Sequence, residues 1–435
     1  VLVLLTHANH LYSDRKQVRK MQPYPPLQTL IAAAALRRAG VEVAFFDATF
    51  DRNICSALDR VGPDLLAVCE DNFNFLTKMC LLQNRELAFE MAQAAAARGI
   101  PALINSSDAT EHANEYLRAG FSRVIRGELE ATLIETIRCW PASVAPQLPI
   151  ADLDALPSPA WDLLDIEPYR RAWKHAHGYF SMNLVGSRGC PYRCNWCAKP
   201  LYGDSYRHYS AGRVAAEMEC VKELFQPDQL WFADDIFGLS AKWTREFASQ
   251  VEQRRAHIPF RMQSRCDLMT RDTVAALARA GCVEVWMGAE SGSQRILDAM
   301  EKGIHVEHIR QARENLRRHG IRACMFLQFG YLGEEWDDIE STIRLVRDTK
   351  PDDIGVSVSY PMPNTRFHQI VKAQLEAQEN WSESGDLAKM FQGQLPAEFY
   401  RALADALHLE VAQSVSSDDL GHAWEKVENL RCACC

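Results

Sequence analysis

The sequence has no apolar run long enough to cross a membrane, which takes about 20 consecutive apolar residues. Its nearest approach, LIAAAAL at 30–36, is bounded by Pro25 and Pro26 on one side and by Arg37 and Arg38 on the other. It has no basic excess either: the net charge of −9 argues against general binding to nucleic acid or anionic membrane. A secretory leader is not expected, because the opening VLVLL is short and the polar THANH follows at once. Repeats and low-complexity segments are lacking too. Fourteen cysteines in such a chain point to reduced thiols and metal chemistry, not to a disulfide framework. The expected compartment is the cytoplasm. What remains is ordinary globular composition, 47% hydrophobic and 24% charged, with 435 residues to fill two domains and a tail.

The chain reads as α/β throughout. VLVLL, VEVAFFD (41–47), DLLAVCE (64–70), PALIN (101–105) and SRVIRG (122–127) have the continuous apolar character of buried parallel strands. Between them, QTLIAAAALRRAG and RELAFEMAQAAAARG read as helices stopped at Gly40 and Gly99. This alternation predicts a Rossmann-like domain over residues 1–140, whose ligands would sit at the carboxyl ends of its strands. Proline-rich sequence then opens a linker, placed at 141–180. Six further strand–helix units follow: SMNLVG, QLWFAD (229–234), FRMQSR (260–265), VEVWMG (283–288), RACMFLQFG (322–330) and DIGVSVSY (353–360). They predict a partial (β/α)6 barrel of TIM type over 181–375, with chemistry on the loops after its strands. A helical region, 376–435, ends in RCACC.

The loop after the first barrel strand reads SRGCPYRCNWCAKP. Structural zinc sites and ordinary iron–sulfur clusters take four ligands, yet Cys190, Cys194 and Cys197 have no fourth cysteine beside them. Three thiolates at x3 and x2 spacing suit a metal centre left open on one side. The competing reading is a zinc site completed by a residue such as His208.

Cys190-x3-Cys194-x2-Cys197, with Trp196 before the last cysteine, resembles the signature of radical S-adenosylmethionine (SAM) enzymes. FADDIF (232–237), MGAESGSQRIL (287–297) and FLQFGYLGEE (326–335) fit the same family in the right order. The resemblance covers roughly residues 180 to 375. It implies a 4Fe-4S cluster held by the three cysteines, its fourth iron chelating the amino and carboxylate groups of SAM, and an external one-electron reductant. It also implies cofactor contacts from Tyr192 and Trp196 near the adenine, Glu290 and Ser291 near the ribose or methionine, and Arg265 toward the carboxylate. One of Asp234 and Asp235 is expected to serve the cofactor, with Asp234 the candidate carried forward. Gly288, Gly330 and Gly333 are expected to allow close backbone approach.

The first domain is similar to the cobalamin-binding type of a large subgroup, and RGELEAT (126–132) matches its G-E-x-E-x-T pattern. The histidine-ligating D-x-H-x-x-G element is lacking. Where relatives place a glycine pair after the fourth strand, this chain has NSSDAT (105–110), with Ser106 and Ser107. Those side chains argue against cobalamin.

The terminal Arg431-Cys432-Ala433-Cys434-Cys435 offers three soft ligands on what reads as a flexible tail. It is similar to the R-C-C-L-C ending of radical SAM enzymes that make hydroxyarsinothricin. That likeness implies transfer of the aminocarboxypropyl group of SAM to trivalent arsenic bound by Cys432, Cys434 and Cys435, with arsenite as the small-molecule substrate. The alternatives are a cobalamin-dependent methyltransferase acting on carbon or phosphorus, and a non-catalytic metal or metalloid sensor.

Overall fold

Five of the apolar runs pair into one parallel sheet: β1 (Leu2–Thr6), β2 (Glu42–Phe45), β3 (Leu65–Cys69), β4 (Ala102–Asn105) and β5 (Arg123–Val124). This is a computed structural model, and it describes all residues except 75–80, 200, 376–386, 388–389, 394, 413–414 and 434–435. The strand order is β2-β1-β3-β4-β5. Alternate residues of a strand face opposite ways. Leu4, Leu66, Val68 and Ile104 therefore pack against the helices Ile54–Val61 and Leu82–Ala96. Val3, Leu5, Leu65, Ala67 and Leu103 pack against Leu27–Arg38 and Leu129–Arg138. Burial on both faces is why these strands read as unbroken apolar runs. The order reverses between β1 and β3, where a sheet of this kind opens a crevice for ligands.

The passage expected as linker is more ordered than its composition suggests. Two 3₁₀ turns, Leu153–Ala155 and Trp161–Leu163, lead into a helix, Glu167–His177. Its Tyr169 and Trp173 are fully buried. Tyr169 donates to Asp47 Oδ2 at 2.7 Å, and Trp173 Nε1 to the Pro23 carbonyl at 2.7 Å.

The second sheet holds β6 (Ser181–Leu184), β9 (Gln229–Phe232), β10 (Phe260–Arg265), β11 (Cys282–Glu290), β12 (Arg322–Phe329) and β13 (Asp353–Val358). Its order, β13-β12-β11-β10-β9-β6, follows the chain one strand at a time, as a curled half-barrel requires. A short antiparallel hairpin, β7 (Ser187–Arg188) with β8 (Arg207–His208), frames the cysteine loop. Two helices follow the barrel, Ala397–Val411 and Ser417–Ala433. The second runs through Arg431 and Cys432, so this part of the expected flexible tail is helical. Cys434 and Cys435 lie outside the described residues. Among the described residues, no helix is long and apolar enough to cross a membrane.

The chain divides into two compact units. The first is built on Val1–Cys190 and Lys199–Asp235, the second on Pro191–Ala198, Ile236–Glu379 and Leu387–Cys435. Each is treated by itself below.

Candidate active site

In the first unit, side chains hold the start of the cysteine loop. Asp234, just past β9, accepts hydrogen bonds from the Gly186 amide at 3.0 Å and from Ser187 Oγ at 2.5 Å. Burial pushes its carboxyl up to about 7. The expected cofactor residue thus clamps the loop. Next along the chain, the Arg188 guanidinium bonds Glu128 and Glu130. Gly189 takes φ +77°, and a side chain there would strike the Ser205 carbonyl. Lys199 Nζ donates to the Cys190 carbonyl at 2.9 Å.

In the second unit, Asn195 fixes the other two cysteines. Its side chain donates to the Ala299 carbonyl at 2.7 Å and accepts from Tyr331 Oη at 3.0 Å. Its own amide donates to the Met300 carbonyl, and its carbonyl accepts from the Phe367 amide. With four bonds on the residue after Cys194, the backbone at this cysteine is well determined. A further bond from the Cys197 amide to the Cys194 carbonyl, at 3.2 Å, tightens the turn. Cys190, Cys194 and Cys197 are all half-buried. Among the described residues, no three His, Cys, Asp or Glu side chains converge as a metal-holding group.

Two further features of this unit suit a charged ligand. The Arg265 guanidinium lies 3.6 Å from the centre of the Tyr192 ring and bonds Asp267 at 3.0 Å. Its Nη1 is buried without a partner among the described residues, and so is Trp196 Nε1. Buried donors left unpaired are costly, so both atoms call for an acceptor. The methionine carboxylate expected at Arg265 would supply one. The arrangement around Arg265 therefore fits the carboxylate end of SAM; with a cluster, SAM when bound supplies one-electron cleavage of a carbon–sulfur bond.

Glu290 and Ser291 both have partners within the protein. The pairing of β11 with β12 shifts register between Gly288 and Glu290, and Glu290 takes φ +59°. Its carboxylate binds the buried Lys302 ammonium at 2.7 Å. Burial works to lower the Lys302 pKa, but Glu290, with Cys194 behind it, holds it above the ordinary value. A Cβ at Gly288 would lie 2.5 Å from both charged groups, so the close approach expected there is to this ion pair. Ser291 Oγ accepts from the Ser293 amide at 3.1 Å and lies 3.2 Å from Thr342 Oγ1, which commits it to packing against the helix Trp336–Thr349. Sequence reasoning missed Asn195, Lys302 and Arg188; of these, only Asn195, inside the cysteine motif, carried a positional hint.

At the carboxyl edge of the first sheet, polar side chains stitch the loops together. Glu70 accepts from the Ala8 amide at 2.8 Å, and Asp71 from the Gln28 amide at 3.1 Å. Burial pushes these carboxyls up to about 7 and about 6. Glu70 Oε2, Gln28 Nε2 and Asn105 Oδ1 are buried without partners among the described residues. This mixture of orphan donor and acceptors fits an amide-fringed ligand such as a corrinoid. Both serines have partners within the protein. Ser106 has extended backbone (φ −157°) and caps the helix Ser107–Glu111 by accepting from Ala109, while Ser107 bonds Asn72. The Ser106 hydroxyl is thus used as a helix cap.

Residues 184–346 match the Radical SAM superfamily model. They form a radical SAM domain. A curated relative, an uncharacterized methyltransferase of Pyrococcus horikoshii, is 28% identical over 225 residues, 52% of this chain and 48% of that protein. This chain thus spans about half the length of that relative. The solved structure of the radical SAM methyltransferase TsrM from Kitasatospora setae, with cobalamin and a [4Fe-4S] cluster bound, is 19% identical with a TM-score of 0.68. It covers 86% of this chain and 74% of its own. The cobalamin-dependent radical enzyme OxsB, with aqua-cobalamin and SAM bound, is 16% identical with a TM-score of 0.74, covering 99% of this chain and 71% of its own. Both structures thus share the fold of this chain over most of its length.

On the tail, Arg431 lies over the Trp336 ring at 4.4 Å and pairs with Glu428 at 2.9 Å. Trp336 opens the helix that follows β12, at the edge where the strand ends. Cys432, beside Arg431, is exposed.

Proposed function

We propose that the chain is a radical SAM transferase that moves a methyl group to a small-molecule acceptor and uses a corrinoid carried on its first sheet. The observation behind this reading is the joint presence of a radical SAM domain and a five-stranded sheet whose carboxyl edge holds unpaired polar atoms suited to a corrin's amides. The methyltransferases among the similar proteins support it. In this reading Cys190, Cys194 and Cys197 hold a 4Fe-4S cluster and leave one iron open for SAM. Arg265 orients the methionine carboxylate. Tyr192 and Trp196 line the adenine side. Glu290 acts through Lys302, and Asp234 through the loop it holds. An external reductant of low potential supplies the electron.

Product analysis under anaerobic, reducing conditions tests the proposal. Methyl transfer of this kind yields S-adenosylhomocysteine and 5′-deoxyadenosine; methylthioadenosine as the main product would contradict it.

One observation favours a second reading, aminocarboxypropyl transfer to trivalent arsenic. The Arg431–Trp336 contact brings the cysteine-bearing end of the last helix to the edge where β12 ends. Under this reading the triple variant C432S/C434S/C435S loses arsenite binding and retains its iron. Under the first reading it leaves product formation unchanged.

A further inference from the structure

We propose that the Gly-Glu-x-Glu segment at the end of the first sheet is a positioning element for the cysteine loop, gripping Arg188 so as to place Cys190. The observations all lie within the first unit. Arg188 is fully buried, and Glu128 and Glu130 are nearly so. Its Nη1 reaches Glu128 Oε1 at 2.5 Å and Glu130 Oε2 at 3.0 Å, while Nη2 reaches Glu130 Oε1 at 2.6 Å. Arg207, paired with Arg188 across the β7–β8 hairpin, donates to Glu128 Oε2 at 2.7 Å. Two arginines and two glutamates thus balance each other out of water, the condition under which buried charges are tolerated.

Geometry matters here as much as charge. A planar guanidinium held by two carboxylates has its direction fixed, which an ammonium would not. The Tyr202 ring lies 5.5 Å from the guanidinium carbon and bonds Gln28 at 3.0 Å, which closes the cage. Only Gly189 separates this anchor from Cys190, and Gly189 is packed so closely on Ser205 that no side chain fits. Lys199 holds the Cys190 carbonyl and pairs with Asp204 at 2.6 Å. The backbone on either side of the first cysteine is therefore tied to the unit that contains the first sheet, across 58 and 60 residues of sequence.

The proposal rests on the reading that these cysteines hold the cluster, and its test separates the two. Three proteins are compared: wild type, R188K, which keeps the charge but loses the fork, and R188M/E130M, which removes the pair without stranding a charge. In iron-free, reduced protein, the alkylation rate of Cys190 relative to Cys194 is read by peptide mass spectrometry. In reconstituted protein, iron release to a chelator is timed. The double variant is expected to keep its thermal midpoint within a few degrees of wild type, because an apolar pair of similar volume replaces the ions. Its Cys190-to-Cys194 alkylation ratio should rise about five-fold, as a loop held by one anchor fewer opens more often, and iron release should quicken. R188K should show the same changes to a smaller degree. A wild-type ratio in either folded variant, or failure of both variants to fold, would make the contact a strut of the fold and overturn the proposal. If wild type takes up no iron, the functional reading fails while the alkylation ratio still reports on the clamp.

Discussion

Replacing Asn195 by alanine removes two side-chain hydrogen bonds, one to the Ala299 carbonyl at 2.7 Å and one from Tyr331 Oη at 3.0 Å. The cost follows from what is left behind. Tyr331 Oη also lies 2.9 Å from the Ala299 carbonyl, so each abandoned group keeps the other as partner. Neither is orphaned, and the loss stays near the ordinary net value of two neutral hydrogen bonds, about 2 kcal/mol. Asn195→Asp should be worse. It keeps the acceptor for Tyr331 but sets a carboxylate oxygen against the Ala299 carbonyl in a buried position, a cost of about 3 kcal/mol or more. Urea unfolding of the iron-free protein, followed by circular dichroism, measures both. Iron retention after reconstitution should fall in the same order, because only backbone bonds, those of Asn195 and the one from Cys197 to Cys194, then hold the turn. An aspartate variant as stable as the alanine variant would refute this account of how the loop is fixed.

Three further outcomes are expected. Cys190→Ala, Cys194→Ala and Cys197→Ala should each abolish the visible absorption of a reconstituted iron–sulfur centre, and full iron in any of them would remove that cysteine from the ligand set. Gly288→Ala should cost about 3 kcal/mol in urea unfolding, because the new methyl group displaces the buried Glu290–Lys302 pair; a loss below about 1 kcal/mol would mean that the pair gives way easily. Glu70 is pushed up to about 7 by burial, so in the folded state it holds a proton that the unfolded chain releases near 4.5. Its contribution is full at low pH and is lost as pH rises through about 7. Glu70→Gln should therefore match wild type near pH 4 and exceed it by about 3 kcal/mol at pH 8, and a variant less stable than wild type at pH 8 would reverse the sign of this argument.

The sheets were legible because both are parallel and buried. Strands such as Leu65–Cys69 and Arg322–Phe329 spell out apolar runs that no exposed segment would carry. The cysteine loop was legible because ligand spacing is a local property. What escaped was set by partners distant in the chain. Arg188 looks like any basic residue until Glu128 and Glu130 are brought to it. Lys302 gives no sign that it neutralises Glu290. The helix Glu167–His177 was hidden by the prolines before it, and the two aromatic side chains that bury it meet partners near Pro23 and Asp47. Ser106 and Ser107 read in the sequence as side chains standing where relatives have glycines; that the Ser106 hydroxyl caps the helix Ser107–Glu111 depends on a local fold the pattern does not spell out.

The measurement that bears most directly on the whole account is the electron paramagnetic resonance spectrum of anaerobically reconstituted, reduced protein, recorded with and without SAM. A three-cysteine site with one open iron predicts a cluster signal that changes when SAM is added. No cluster signal, or one indifferent to SAM, would contradict the open iron site on which the proposed chemistry depends.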